Sequence, residues 1–104
     1  MHRPTLLIMA LVAAGVGSAP AAQASEALLK KHNCTACHAT DKKLVGPAYK
    51  EVAKKYQGQK DIAAKLAQIV KKGGQGAWGP VRMPPNAAVS DADIKAMVDY
   101  ILTL

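Results

Sequence analysis

Both cysteines of the chain fall in one pentapeptide, Cys34-Thr35-Ala36-Cys37-His38. A C-x-x-C-H run reads as an attachment site for c-type haem. Two thiols three positions apart on a helical turn can each add to a vinyl group of one porphyrin, and His38 then lies beneath the iron as its proximal ligand. A tethered porphyrin is a severe constraint, because the rest of the chain must wrap it. Two plainer readings compete. A redox dithiol of the thioredoxin kind sits in a βαβ unit, and no segment here reads as a strand. A zinc site needs four ligands; there is no further cysteine, His2 stands at the extreme N-terminus, and His32 is only six residues before His38. The balance favours one covalent haem c and its iron.

The N-terminus reads as a secretory signal peptide: basic Met1-His2-Arg3, an apolar run from Leu6 to Val16, then small residues ending in Ala22-Gln23-Ala24. Residues 1–24 are expected to be cleaved away, leaving one domain over residues 25–104. The apolar run falls short of the roughly 20 residues of a membrane helix, and no later stretch reads as a span. The expected product is soluble, without a stable membrane anchor, and located in the bacterial periplasm. An exported chain with two cysteines ordinarily forms a disulfide, but one joining Cys34 to Cys37 would close a very small loop. Two thioethers use both thiols instead.

So small a domain is near the lower limit for a self-sufficient core, and aromatic bulk is scarce, with no Phe and one Trp. A buried porphyrin would fill that gap, so the haem-free chain is expected to fold poorly.

Helical periodicity predicts an all-α domain of about four helices. Ser25 reads as the cap of the first, which carries Ala27, Leu28 and Leu29. Tyr49, Val52, Ala53 and Tyr56 mark one face of a second, with Gly58 as a stop. Asp61 reads as the cap of a third, with Ile62, Leu66, Ile69 and Val70 on its stripe and Gly73-Gly74 at its end. For the fourth, Ser90 is the N-cap, Asp93 holds the capping-box position and Val89 faces Ile94 as a hydrophobic staple. Ile94, Met97, Val98, Ile101 and Leu102 form its stripe. Between Gly74 and Val89, Gly and Pro are too dense for a regular element, which predicts a long loop.

That loop carries Met83, between Arg82 and Pro84-Pro85. A methionine on a stiff non-helical segment is poorly placed as core filler, and its thioether is a soft ligand that favours ferrous iron. Met97 lies on an apolar helical stripe, where packing explains it. His32 shares a helix with His38, cannot readily reach the opposite haem face, and reads as a surface histidine.

Four motifs occur in order: Cys34-Thr35-Ala36-Cys37-His38, Val45-Gly46-Pro47-Ala48-Tyr49, Gly76-Ala77-Trp78-Gly79-Pro80 and Met83-Pro84-Pro85-Asn86. With them residues 25–104 resemble the small class I bacterial cytochromes c of the c-551 (or c-552) type. The resemblance implies a compact cytochrome c fold around one haem, thioether bonds at Cys34 and Cys37, and His38 and Met83 as axial iron ligands. It implies further that the Pro47 carbonyl accepts from the His38 ring N–H, that Trp78 bonds a haem propionate, and that Asn86 approaches the Met83 sulfur. Plain packing competes for Trp78, and a turn role for Asn86. Three positions depart from the usual pattern: Ile69, where relatives often have a basic residue, Arg82, where they often have proline, and Tyr100, where they commonly have Trp. The last reads as a packing change.

Of the 14 Lys and Arg, Arg3 falls in the leader, leaving 13 against 7 Asp and Glu. Most are a solvated surface, yet a basic face also steers association with acidic redox partners. Periplasmic or membrane-bound proteins are the expected partners: a quinol-oxidising complex as donor, and a nitrite reductase, a terminal oxidase or a peroxidase as acceptor. No nucleic acid is expected, and the protein is expected to be a monomer. Two functions fit the motif. In an electron carrier, not an enzyme, both axial positions are filled. In a peroxidase or small-gas sensor Met83 is labile, but no distal acid–base pair for peroxide chemistry is evident. The carrier is favoured.

Overall fold

The structure, a computed structural model, describes residues 21–104. The chain forms helices α1 (Ala21–Lys31), α2 (Tyr49–Lys55), α3 (Ile62–Lys72) and α4 (Asp91–Ile101), with strands β1 (Gly74–Gly76) and β2 (Gly79–Met83) between α3 and α4. Most of the expected leader, residues 1–20, lies outside the described residues. None of the helices described is long and apolar enough to cross a membrane.

Helix α1 begins before Ser25, because Ala21-Ala22-Gln23-Ala24 are good helix formers. The expectation of Ser25 as an N-cap is therefore corrected: the residue is buried inside the helix, its hydroxyl 3.5 Å from the Ala96 carbonyl of α4. Asn33 follows the helix at φ 61°, a left-handed conformation that asparagine tolerates.

The core lies where α1 meets α4. Leu29, Tyr49, Val89, Ile94, Met97 and Val98 form one buried cluster, as the stripes of α1, α2 and α4 require. Polar contacts bracket it. Tyr100 donates its hydroxyl to Glu26 at 2.7 Å, so its place in the chain is more than a packing change. His32 Nε2 lies 3.0 Å from Asp93 Oδ2, and the ring is half-buried. It is a tie between α1 and α4 rather than a free surface histidine. That tie also explains an incomplete capping box. The Ser90 hydroxyl accepts from the Asp93 N–H at 3.1 Å, a cap contributing about 1 kcal/mol, while the Asp93 carboxylate turns to His32.

Asp61 precedes α3 but makes no capping bond. At φ 61° it lacks the extended backbone that aims a cap side chain at the helix N–H groups, so the expected Asp61 cap is also corrected. The stripe of α3 is as predicted, yet none of its residues is fully buried. Lys71 fastens the helix end to α4, donating to the Val89 carbonyl at 2.6 Å and lying 3.3 Å from Asp91 Oδ1.

The expectation of an irregular loop after Gly74 is overturned by an antiparallel hairpin pairing Gly74 with Met83 and Gly76 with Gly79. Gly76 at φ 101° and Gly79 at φ 110° supply backbone that L-residues with side chains rarely adopt, which allows the tight reversal. Here dense glycine makes a turn rather than excluding a sheet. The pairing fixes Met83 opposite the residue that follows the C-cap of α3.

Candidate functional site

Cys34–Ala36 form one 3₁₀ turn after the left-handed Asn33. The N–H groups of Cys37 and His38 both return to the Cys34 carbonyl, at 3.2 and 3.0 Å. The two thiols are thereby held on one turn, both free and half-buried. Burial, foremost, pushes the Cys34 thiol above its usual range, and the neighbouring Cys37 adds to the rise.

The next segment closes over His38. Three backbone bonds lace residues 37–40 to residues 46–50: Gly46 N–H to Cys37 O at 2.7 Å, Tyr49 N–H to Ala39 O at 2.9 Å, and Lys50 N–H to Thr40 O at 3.1 Å. They bring the Pro47 carbonyl to 2.8 Å from His38 Nδ1. A carbonyl only accepts, so Nδ1 carries the proton and Nε2 of the neutral ring keeps its lone pair for a metal. Gly46 lies flat against the imidazole: a Cβ there would come within 2.4 Å of Cε1, 2.8 Å of Nδ1 and 2.9 Å of Nε2. No side chain fits without moving the ring. Gly46→Ala is expected to lower stability by about 1–3 kcal/mol, measured by thermal unfolding of the haem-loaded protein alongside an unchanged haem content.

Two observations test whether a porphyrin suits this place. The Tyr49 hydroxyl is buried and has no hydrogen-bond partner among the described residues, a situation that costs about 1–3 kcal/mol if nothing satisfies it. Burial, followed by the Cys34 and Cys37 thiols, pushes that phenol well above its ordinary pKa. The donor set is also apt: two thiols and one imidazole with a free nitrogen on adjacent turns. Zinc would want more, and among the described residues no three His, Cys, Asp or Glu side chains gather to hold a metal ion.

Met83 and Asn86 belong to a second group, at the end of α3. Gly73 there has φ 82°, and a Cβ on it would meet the Met83 carbonyl at 2.8 Å. Asn86 is pinned to the Val70 carbonyl twice, by its backbone N–H at 3.0 Å and its Nδ2 at 3.1 Å, and Nδ2 also lies 3.4 Å from the Pro84 carbonyl. The amide donors are thus engaged with the end of α3 and with the turn that follows Met83. Ile69 packs on Gly74 where β1 starts, and Arg82 is exposed on β2.

Trp78 stands apart, between the two strands and 39% exposed. Its ring meets Tyr56 edge-on at 6.3 Å, and the Lys55 ammonium sits 4.5 Å from its centroid while donating to the Ala77 carbonyl at 2.9 Å. Its indole N–H has no acceptor among the described residues. Lys55 was not legible as a site residue, because a lysine on an exposed helix face looks like any other. Gly46 was legible only as part of the Val45–Tyr49 motif, without its close approach to His38.

Known proteins give the same answer at the level of family. The cytochrome c family matches residues 22–104. Cytochrome c-552 of Nitrosomonas europaea is 50% identical over 100 residues, covering 96% of this chain and 92% of that protein. Cytochrome c-551 of Pseudomonas aeruginosa is 48% identical over 98 residues, covering 92% and 93%. The crystal structure of wild-type Nitrosomonas europaea cytochrome c552 superposes with a TM-score of 0.74 at 53% identity, covering 76% of this chain and 98% of that one. With its paired thiols on one turn, its oriented imidazole and this likeness over nearly its whole length, the chain belongs to the cytochrome c family, as a small cytochrome of the c-551/c-552 kind with one covalently bound haem c.

Proposed function

We propose that the protein is an exported, periplasmic, monomeric electron carrier whose haem is tied by thioethers at Cys34 and Cys37 and ligated axially by His38 and Met83. The observation that carries this reading is the 2.8 Å bond from His38 Nδ1 to the Pro47 carbonyl. It leaves the Nε2 lone pair available to iron and makes the imidazole a better donor. When bound, haem supplies a one-electron ferric/ferrous couple. The chain's part is to hold it still. His38 is fixed by residues 46–49, and Met83, offering a soft thioether that favours the ferrous state, is fixed by the hairpin pairing and by Asn86. Two rigid ligands keep the geometry nearly the same in both oxidation states, which is what fast electron exchange needs. Trp78 is read as the donor to a propionate, and Lys55 beside it adds positive charge for the same anion. Residues 1–24 are read as the export signal.

Partners are read as redox proteins with acidic faces: a quinol-oxidising donor, and a nitrite reductase, terminal oxidase or peroxidase as acceptor. The site's own loop supports this. Lys42 and Lys43 are exposed beside Leu44 and Val45, which are 41% and 56% exposed. An apolar patch flanked by charge suits brief docking. Lys71, by contrast, is spent on Val89 and Asp91. Reversing Lys42 and Lys43 to Glu is therefore expected to slow second-order electron transfer to an acidic partner by about tenfold at low salt, with the difference fading as ionic strength rises. Stopped-flow kinetics against salt read this. Rates indifferent to both salt and substitution would remove the steering argument.

A further inference from the structure

Four consecutive residues, Gly46 to Tyr49, supply three separate contacts to His38: the close-lying Gly46 backbone, the Pro47 carbonyl and the Tyr49 ring. The Tyr49 ring is stacked on the imidazole, with centroids 5.1 Å apart and planes 21° from parallel. Tyr49 is only 4% exposed, and it belongs to the cluster that joins Leu29 to α4. As core filler alone it is a poor choice, since a phenylalanine would fill the space without burying a hydroxyl that no described residue satisfies.

We propose that Tyr49 is a positioning residue for the proximal histidine: its ring, stacked on His38, fixes the rotation of the imidazole about its bond to iron. The Pro47 carbonyl holds one ring nitrogen, but a single hydrogen bond leaves the ring free to rock about it. Gly46 bars displacement toward the backbone. A broad aromatic face against the imidazole removes the remaining freedom, and it does so from the heart of the α1–α2–α4 cluster, where its own motion is least. The hydroxyl, buried and without a partner among the described residues, is free to donate to a bound group. Ring and hydroxyl thus have separable roles.

This rests on His38 being the iron ligand, and the test keeps the two ideas apart. The ferric, haem-loaded wild type, Tyr49→Phe, Tyr49→Leu and Leu29→Ala are compared by electron paramagnetic resonance, with thermal unfolding in parallel. The g values report imidazole orientation, which loss of core packing alone does not move. Tyr49→Phe keeps the stack and is expected to retain the wild-type g values while unfolding at lower temperature. Tyr49→Leu is expected to shift them beyond the spread of the other three. Leu29→Ala, which removes buried bulk from the same cluster without taking a ring or a hydrogen bond from His38, is expected to lose stability with g values unmoved. Should the leucine variant not yield folded protein, Tyr49→Met fills the space with an adaptable chain and carries the same comparison. A non-aromatic variant with wild-type g values, or a shift as large in Leu29→Ala, overturns the proposal while leaving ligation intact. A wild-type iron that is not low-spin with an imidazole ligand overturns both.

Discussion

Met83→Ala is expected to abolish the sulfur-to-ferric-iron charge-transfer band and lower the reduction potential by on the order of 0.1–0.3 V, part of the roughly 0.8 V over which axial ligands set haem potentials. The thioether stabilises ferrous iron, so its loss favours the ferric state. The backbone gives little reason for collapse. Met83 is paired with Gly74 across the hairpin, its carbonyl abuts Gly73, and Asn86 anchors the following turn to Val70; none of these contacts uses the thioether. The same substitution opens the iron. Carbon monoxide is expected to bind the wild type weakly and slowly and the variant more than about tenfold more tightly, each decade standing for about 1.4 kcal/mol of displaced iron–sulfur bonding. Visible spectra, potentiometry and carbon monoxide titration read the three effects. A band that survives the substitution, with an unchanged potential, places the sixth ligand elsewhere. Tight carbon monoxide binding by the wild type would move the protein from carrier toward sensor.

The distance between sequence and structure varies with how local the governing physics is. The α4 cap was legible because Ser90, Asp93, Val89 and Ile94 act within a few residues of one another, and the α4 stripe with Met97 followed from a 3.6-residue period. The gathering of Cys34, Cys37 and His38 about one turn was legible because their spacing along the chain sets it. Asp61 misled because cap preference is a side-chain rule, and the backbone there is left-handed. The hairpin misled because glycine and proline were counted as breakers, whereas Gly76 and Gly79 make a two-residue reversal possible. His32 and Asp93, 61 residues apart, could be joined only once α1 and α4 were packed. Tyr49 was legible as part of an apolar face, but the stack on His38 depends on the lacing of residues 37–40 to 46–50, which no local pattern records.

The second large effect concerns the fold itself. Replacing both Cys34 and Cys37 by Ser is expected to leave a chain without covalent haem and without a cooperative unfolding transition, a loss of the whole margin of about 5–15 kcal/mol that small domains possess. The buried cluster explains why. It joins α1, α2 and α4 through Leu29, Tyr49, Val89, Ile94, Met97 and Val98, but α3 contributes no fully buried residue although Ile62, Leu66, Ile69 and Val70 form a continuous stripe. Ala63, Leu66, Ala67 and Val70 pack on the cluster from its margin, each of them partly buried. Helices as short as α3, with 11 residues, do not persist on intrinsic propensity and depend on tertiary packing. The hairpin and the Met83 segment are hung on the end of α3 through Gly73 and Val70, so they share its fate. Serine keeps the size of each side chain and removes only the thioether chemistry, which ties the effect to attachment rather than to packing at the turn. Circular dichroism melts and hydrogen exchange of the double variant read the outcome. A sharp transition with native helix content would show that the α1–α2–α4 cluster suffices, and the haem would then be cargo rather than core.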